Sequence, residues 1–77
     1  MNDYKKYIYE ILREAVPYEE ISDTTELIKS GIIDSLTLVF LIAELEEATS
    51  KTISEDLVTP ENFESVERIN RLLNSID

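Results

Sequence analysis

The sequence predicts an all-α fold, a small four-helix bundle with three longer helices and one short one. Two observations carry this: apolar residues recur at helical spacing in three separate stretches, and proline or capping residues interrupt the pattern between them. Length adds a third, because 77 residues support only one modest core and leave little interior for a deep cleft. Residues 1–77 are therefore read as a single domain, and the 43% hydrophobic content argues for a folded chain over a disordered one.

Tyr4, Tyr7, Ile8, Ile11, Leu12 and Ala15 share one helical face, which predicts a first helix from about residue 3 to about residue 15. Pro17 ends it. Residues 16–34 then form a long connection with Pro17, Ser22, Asp23, Thr24, Thr25, Ser30 and Gly31, in which Leu27, Ile28, Ile32 and Ile33 are available to pin it to the core. Gly31, the single glycine, suits a turn that needs positive φ. A second helix is expected to start at Asp34 or Ser35 and run to about Thr49. Ser54-Glu55-Asp56-Leu57 reads as a capped single turn, and Thr59-Pro60-Glu61 as a threonine cap followed by proline at a first helical position. Phe63 is expected to plug the core. A last helix beginning near Ser65 presents Val66, Ile69, Leu72, Leu73 and Ile76 on one face.

The second helix carries two apolar stripes on opposite sides of one cylinder. Leu38, Leu41, Ile42 and Leu45 form the first; Leu36, Val39, Phe40 and Ala43 form the other. At about 100° per residue Glu47 falls beside Leu36 and Phe40, with Glu44 nearby, whereas the first stripe continues to neutral Ala48 and Thr49. The Leu38 stripe is thus expected to face inward. That leaves Leu36, Val39, Phe40 and Ala43 as an apolar strip bordered by acids, the pattern of a docking surface. The alternative, in which Ile32 and Ile33 of the long connection fold over this strip, stays open at this point.

Seventeen acids against seven bases give a net charge of -10, which repels nucleic acid and anionic membranes and favours basic protein partners. Between residues 30 and 67 there are nine acids and Lys51 alone, so the field is concentrated around the second helix. The N-terminus leads into charged amphipathic sequence, no apolar run approaches spanning length, and cysteine is absent; a cytoplasmic protein is expected.

Without histidine or cysteine the chain has neither a side chain that titrates near neutral pH nor a thiolate, and no nucleophile-base triad can be assembled. Paired carboxylates need an enclosed site to act as acid and base, which so small a domain hardly provides. Asp23-Thr24-Thr25-Glu26-Leu27-Ile28 fails the calcium-loop pattern at its third, fifth and sixth places. What remains is the stretch Gly31-Ile32-Ile33-Asp34-Ser35-Leu36. A serine at a helix start is ordinarily a cap, but Asp34 caps at least as well and complements the positive helix end, so Ser35 falls in the first turn with its hydroxyl directed to solvent. Neither residue has a Glu or Gln three places on to complete a capping box. With nothing to activate it, Ser35 is better placed to be modified than to catalyse, and a phosphate there would meet the first N–H groups of the helix.

These residues resemble the acyl carrier proteins, the phosphopantetheine-binding carriers of fatty acid, polyketide and peptide assembly. The resemblance spans nearly the whole chain: an amphipathic helix, a long loop, Gly31-Ile32-Ile33-Asp34-Ser35-Leu36 in place of the family's G-x-D-S-L, Leu45-Glu46-Glu47 in place of its L-E-E, a short turn and a last helix. It implies that a phosphopantetheinyl transferase, using coenzyme A and Mg²⁺, attaches 4'-phosphopantetheine to Ser35 between Asp34 and Leu36. It implies also that cargo rides on the arm as a thioester, and that the carrier presents it without catalysing. The strip of Leu36, Val39, Phe40 and Ala43 with Glu44, Glu46, Glu47 and Asp56 would then meet basic surfaces on the transferase, the loading ligase and the downstream enzymes.

Departures from the pattern bear on subtype. Carriers of primary fatty acid synthesis commonly have acids where Thr37 and Phe40 stand, and Phe-Gly where Thr49-Ser50 stand. Peptidyl carriers within large synthetases often have histidine at the place of Asp34. The Gly31 to Ser35 stretch and Pro60-Glu61-Asn62-Phe63 look more like free-standing carriers of specialised pathways, including those loaded with an amino acid by a separate ligase. A monomer is expected. A reading from another class, an unmodified acidic helical adaptor, is separated from the carrier by whether Ser35 is needed.

Overall fold

The computed structural model describes residues 2–76. Helices α1 (Lys5–Ala15), α2 (Ser35–Thr49) and α3 (Val66–Ser75) appear in that order, with a single 3-10 turn at Glu55–Leu57 between α2 and α3. The architecture is the expected all-α bundle of three longer helices and one short element. α1 packs on both α2 and α3. The core comprises Ile8, Ile11 and Leu12 of α1, Leu41 and Leu45 of α2, and Val66, Ile69, Leu72 and Leu73 of α3, closed by Leu27, Ile33, Ile53 and Phe63 from the connections.

Each helix begins where a polar side chain satisfies its free amides or where the chain is otherwise tied down. Asp34 caps α2 by accepting from Thr37 N at 2.8 Å, and Ser65 caps α3 by accepting from Arg68 N at 3.2 Å. α1 has no side-chain cap; the backbone N–H of Tyr4 donates to Asn70 Oδ1 of α3 at 2.8 Å, tying the helix start to its neighbour. Ser50 ends α2 at φ 57°, in the left-handed region that glycine tolerates best.

The long connection is held at two points. Asp23 takes the Lys5 ammonium at 2.9 Å and the Tyr9 hydroxyl, while its carbonyl accepts from Glu67 N at 3.0 Å, so this one residue joins α1 and α3. The Tyr9 hydrogen bond, then the Lys5 hydrogen bond, hold the Asp23 carboxyl below its ordinary range; burial, then Asp23, push the Tyr9 phenol up to about 12. Further on, Leu27 N donates to the Glu64 carbonyl at 2.8 Å and Ile33 N to the Leu27 carbonyl at 2.9 Å. Gly31 turns the chain between them at φ 82°, and a Cβ there would meet no atom within 4 Å, so conformation rather than space requires the glycine.

Two local expectations are corrected. Pro60 does not open a helix: residues 60–63 form a turn in which Phe63 N reaches the Pro60 carbonyl at 3.3 Å and Thr59 Oγ1 accepts from Asn62 N at 3.3 Å. The turn drives Phe63 fully into the core, and helical geometry begins only at Val66. Ser54 does not cap the 3-10 turn with its side chain; its hydroxyl is instead oriented toward Asp56, donating to Oδ1 at 2.6 Å in a charge-assisted hydrogen bond.

Candidate functional site

Ser35 is the first residue of α2 and is exposed. The capping bond at this end goes to Asp34, whose backbone is extended (ψ -177°), and among the described residues no hydrogen bond engages the Ser35 hydroxyl. The N–H of Thr37, followed by its hydroxyl, holds the Asp34 carboxyl below its ordinary value of 3.8. The folded value being the lower one, Asp34 stabilises the start of α2 at every pH above the ordinary value. That contribution is lost as the pH falls from 3.8 through the folded value. Acid titration followed by amide exchange is expected to show the Thr37 N–H opening in that window, and in Asp34→Ala opening already at neutral pH; equal protection of Thr37 in both proteins would contradict the capping role.

Two surfaces meet at Ser35. On one side α2 turns its second stripe to solvent: Leu36 is 80% exposed, Val39 63% and Phe40 38%, with exposed Ala43 and Glu47 alongside. The first stripe faces in, Leu41 and Leu45 fully buried and Leu38 and Ile42 packed half-buried against the core. The loop does not cover the strip, since Ile33 is buried and Ile32 packs on the core instead. A shallow groove between Glu14 and Ala15 of α1 and Leu36, Thr37 and Phe40 of α2 shows that the end of α1 lies beside the start of α2.

On the other side a recess of about 350 Å³ is walled by Ile28 and Ile33, by Leu38, and by Val58, Thr59 and Pro60, with Asp34 and Ser35 at its edge. It is mostly apolar, its polar lining residues being Asp34, Ser35 and Thr59.

The acids of the expected docking set are placed unequally. Glu47 and Asp56 are exposed, whereas Glu44 is half-buried and Glu46 uses Oε2 to accept from Ile53 N at 2.8 Å. Asp56 accepts from Ser54. Sequence reasoning missed that Glu46 braces the segment after α2, and it missed Glu64, whose Oε2 accepts from Ile28 N at 2.9 Å and from Lys29 N at 3.4 Å. The Glu64 contacts join residues that are 36 and 35 positions apart along the chain, the Glu46 contact reaches only past the end of α2, and no helical spacing signals either.

An exposed, uncommitted serine at a helix N-terminus suits covalent attachment of a phosphate-linked group. The amides of the first turn and the helix dipole face an anion there, and solvent lies open for the rest. A small helical bundle that offers such a serine between an apolar strip and a recess is a carrier domain. The description "Phosphopantetheine attachment site" matches residues 6–73, and the chain belongs to that family, the acyl-carrier-type proteins whose domain receives 4'-phosphopantetheine covalently. A comparison with curated proteins found no match to this chain. The family is one of shuttles that serve a phosphopantetheinyl transferase and biosynthetic enzymes. Among the described residues no helix is long and apolar enough to cross a membrane, and no group of acids is arranged to hold a metal ion.

Proposed function

We propose that this chain is a free-standing, monomeric carrier that acts in the cytoplasm of its cell and bears the arm on Ser35. When bound, the arm supplies a thiol on which an acyl or aminoacyl group is held as a thioester. The observation that carries the reading is the freedom of the Ser35 hydroxyl at the start of α2 while Asp34 does the capping. Asp34 keeps the helix start formed, the first-turn amides face the phosphodiester, and the chain itself performs no bond chemistry on the cargo. Intact-protein mass after incubation with coenzyme A, Mg²⁺ and a broad-specificity transferase tests it. Gain of a single phosphopantetheine is expected; no gain on folded protein with several transferases would favour the unmodified adaptor.

The outward strip of α2 is read as the surface that partner enzymes cover, with Leu36, Val39, Phe40 and Ala43 as apolar contacts and Glu44, Glu46, Glu47 and Asp56 facing basic residues. Phe40 is the aromatic anchor of this surface and, with Thr37, sets it apart from carriers of primary fatty acid synthesis; a specialised pathway with a dedicated loading ligase fits it best. Phe40→Glu is expected to raise KM for that ligase about tenfold with little change in kcat, since an interface aromatic of this kind contributes roughly 1–2 kcal/mol. Unchanged loading would refute the anchor. Glu47 is the acid to reverse beside it, because reversing Glu46 would also break the bond to Ile53.

A further inference from the structure

The long connection divides into two parts with separate anchors. Residues 27–33 end on Glu64, whose carbonyl accepts from Leu27 N at 2.8 Å and whose Oε2 accepts from Ile28 N at 2.9 Å and Lys29 N at 3.4 Å; Leu27 and Ile33 are buried besides. Residues 17–25 have one anchor. Among the described residues, every hydrogen bond and ion pair that joins this segment to a helix ends on Asp23: the Lys5 ammonium and the Tyr9 hydroxyl of α1 meet its carboxylate, and Glu67 N of α3 donates to its carbonyl at 3.0 Å. Glu67 N lies in the first turn of α3, where no intrahelical acceptor exists, so the Asp23 carbonyl also completes that helix start. Ser22 N donates to Thr25 Oγ1 at 2.8 Å and Thr25 N to the Ser22 carbonyl at 3.3 Å, closing a tight turn that presents Asp23. The apolar hold on the segment is slight. Ile21 is its one hydrophobic residue packed on the core, Tyr18 is 98% exposed, and a hollow of about 230 Å³ lies between Glu19 and Ile21 of the segment and Tyr9, Leu12 and Arg13 of α1.

We propose that residues 17–25 form a strap with a single fastening, Asp23, and that the strap opens as a unit to expose the α1 surface around Leu12 while residues 27–33 and the start of α2 stay in place. The charged and titratable groups around the fastening are Lys5 and Tyr9 on α1, Asp3 just before α1, and Glu67 on α3. The Asp23 carboxyl lies below 3.8 in the folded chain, so its hold is complete above 3.8 and is lost as the pH falls through the folded value. Tyr9 holds as the protonated phenol. Raised from 10.0 to about 12, it contributes fully below 10.0 and ceases to contribute as the pH rises through about 12, where a phenolate would stand against the carboxylate. Lys5, raised above 10.5 chiefly by its hydrogen bond to Asp23, gives up its charge on the same alkaline side. The strap is thus fastened across the neutral range and opens from either end of the pH scale.

Amide exchange followed by NMR on the full chain tests this, with the wild type compared with Asp23→Ala and Tyr9→Phe at neutral pH. The Glu67 amide reports the strap, and the Leu27, Ile28 and Ile33 amides report the part anchored on Glu64. Asp23→Ala is expected to speed Glu67 exchange about tenfold and Tyr9→Phe about threefold, with Leu27, Ile28 and Ile33 within about twofold of the wild type. A glutamate-specific protease is expected to cut Asp23→Ala after Glu19 or Glu20 about tenfold faster than the wild type. On acidification the wild-type Glu67 amide should lose protection below pH 3.8 while Leu27 keeps it. Two results would overturn the proposal. Unchanged Glu67 exchange in Asp23→Ala would mean that Ile21 holds the segment without the carboxylate, and acceleration of Leu27 and Ile33 in step with Glu67 would mean that the connection opens whole. If Asp23→Ala does not fold, Tyr9→Phe, which removes one of the two α1 bonds to the carboxylate, makes the same comparison.

Discussion

Ser35→Ala is expected to abolish attachment of the arm completely and to leave the fold untouched. Both halves follow from the division of labour at the start of α2. Asp34 supplies the capping oxygen to Thr37 N, so removing the Ser35 hydroxyl removes no hydrogen bond from the fold, and alanine is a better helix former than serine. A cap substitution would show the opposite pattern. Ser65, the other serine at a helix start, is buried and bonded to Arg68 N, and its replacement should cost about 1 kcal/mol. Nor does another serine join an unengaged hydroxyl to a place in the first turn of an α-helix: Ser30, Ser54 and Ser75 donate to Glu26, Asp56 and Leu72, Ser22 shares a hydrogen bond with Thr25, and Ser50 stands past the end of α2. Mass spectrometry after transferase treatment, with thermal unfolding of the same samples, checks both halves. Modification of Ser35→Ala elsewhere would misplace the site, and a marked fall in its unfolding temperature would make Ser35 a structural cap.

How legible all this was in the sequence depended on the range of the interaction. Helical faces were readable because they are periodic: Leu41 and Leu45 are buried and Leu36 and Val39 exposed, as the positions of Glu44 and Glu47 around the cylinder required. The choice of Asp34 over Ser35 as cap was readable because two candidate caps adjoin and only one can occupy the position. Gly31 was readable because one conformation is open to it at little cost. Local rules failed where a competitor was not local. Proline after threonine favours a helix start, yet the Pro60 turn is fixed by the burial of Phe63. Glu46 and Glu64 looked like surface charge, yet Glu46 reaches past the end of α2 to the Ile53 amide, and Glu64 accepts amides from a segment that only the folded topology brings near. The apolar strip was legible; the recess on the other side of Ser35 was not, because its lining brings residues 28–33 and 58–60 together with Leu38, and no local spacing relates them.

Phe63→Ala is expected to be the most destabilising single substitution in the chain. Phe63 is the largest fully buried side chain, and it enters the core from a connection rather than a helix, so the hole it leaves cannot be closed by sliding a helix inward. Such truncations cost about 3–5 kcal/mol, where a domain of this length has about 4–12 kcal/mol in all. With each kcal/mol shifting the midpoint of so small a domain by about 4–8 °C, a fall of at least roughly 12 °C is expected, and the lower end of the stability range would leave the variant largely unfolded at room temperature. Phe63→Leu, which keeps most of the volume, should lose much less. The loss would also spread toward Ser35. Phe63 directly precedes Glu64, and its burial fixes where that carboxylate meets Ile28 and Lys29. Urea unfolding of the three proteins decides the matter: a loss below about 1 kcal/mol for Phe63→Ala would mean that the core collapses around the gap. The Ile28 wall beside Ser35 would then have to be held by contacts other than the one Phe63 anchors.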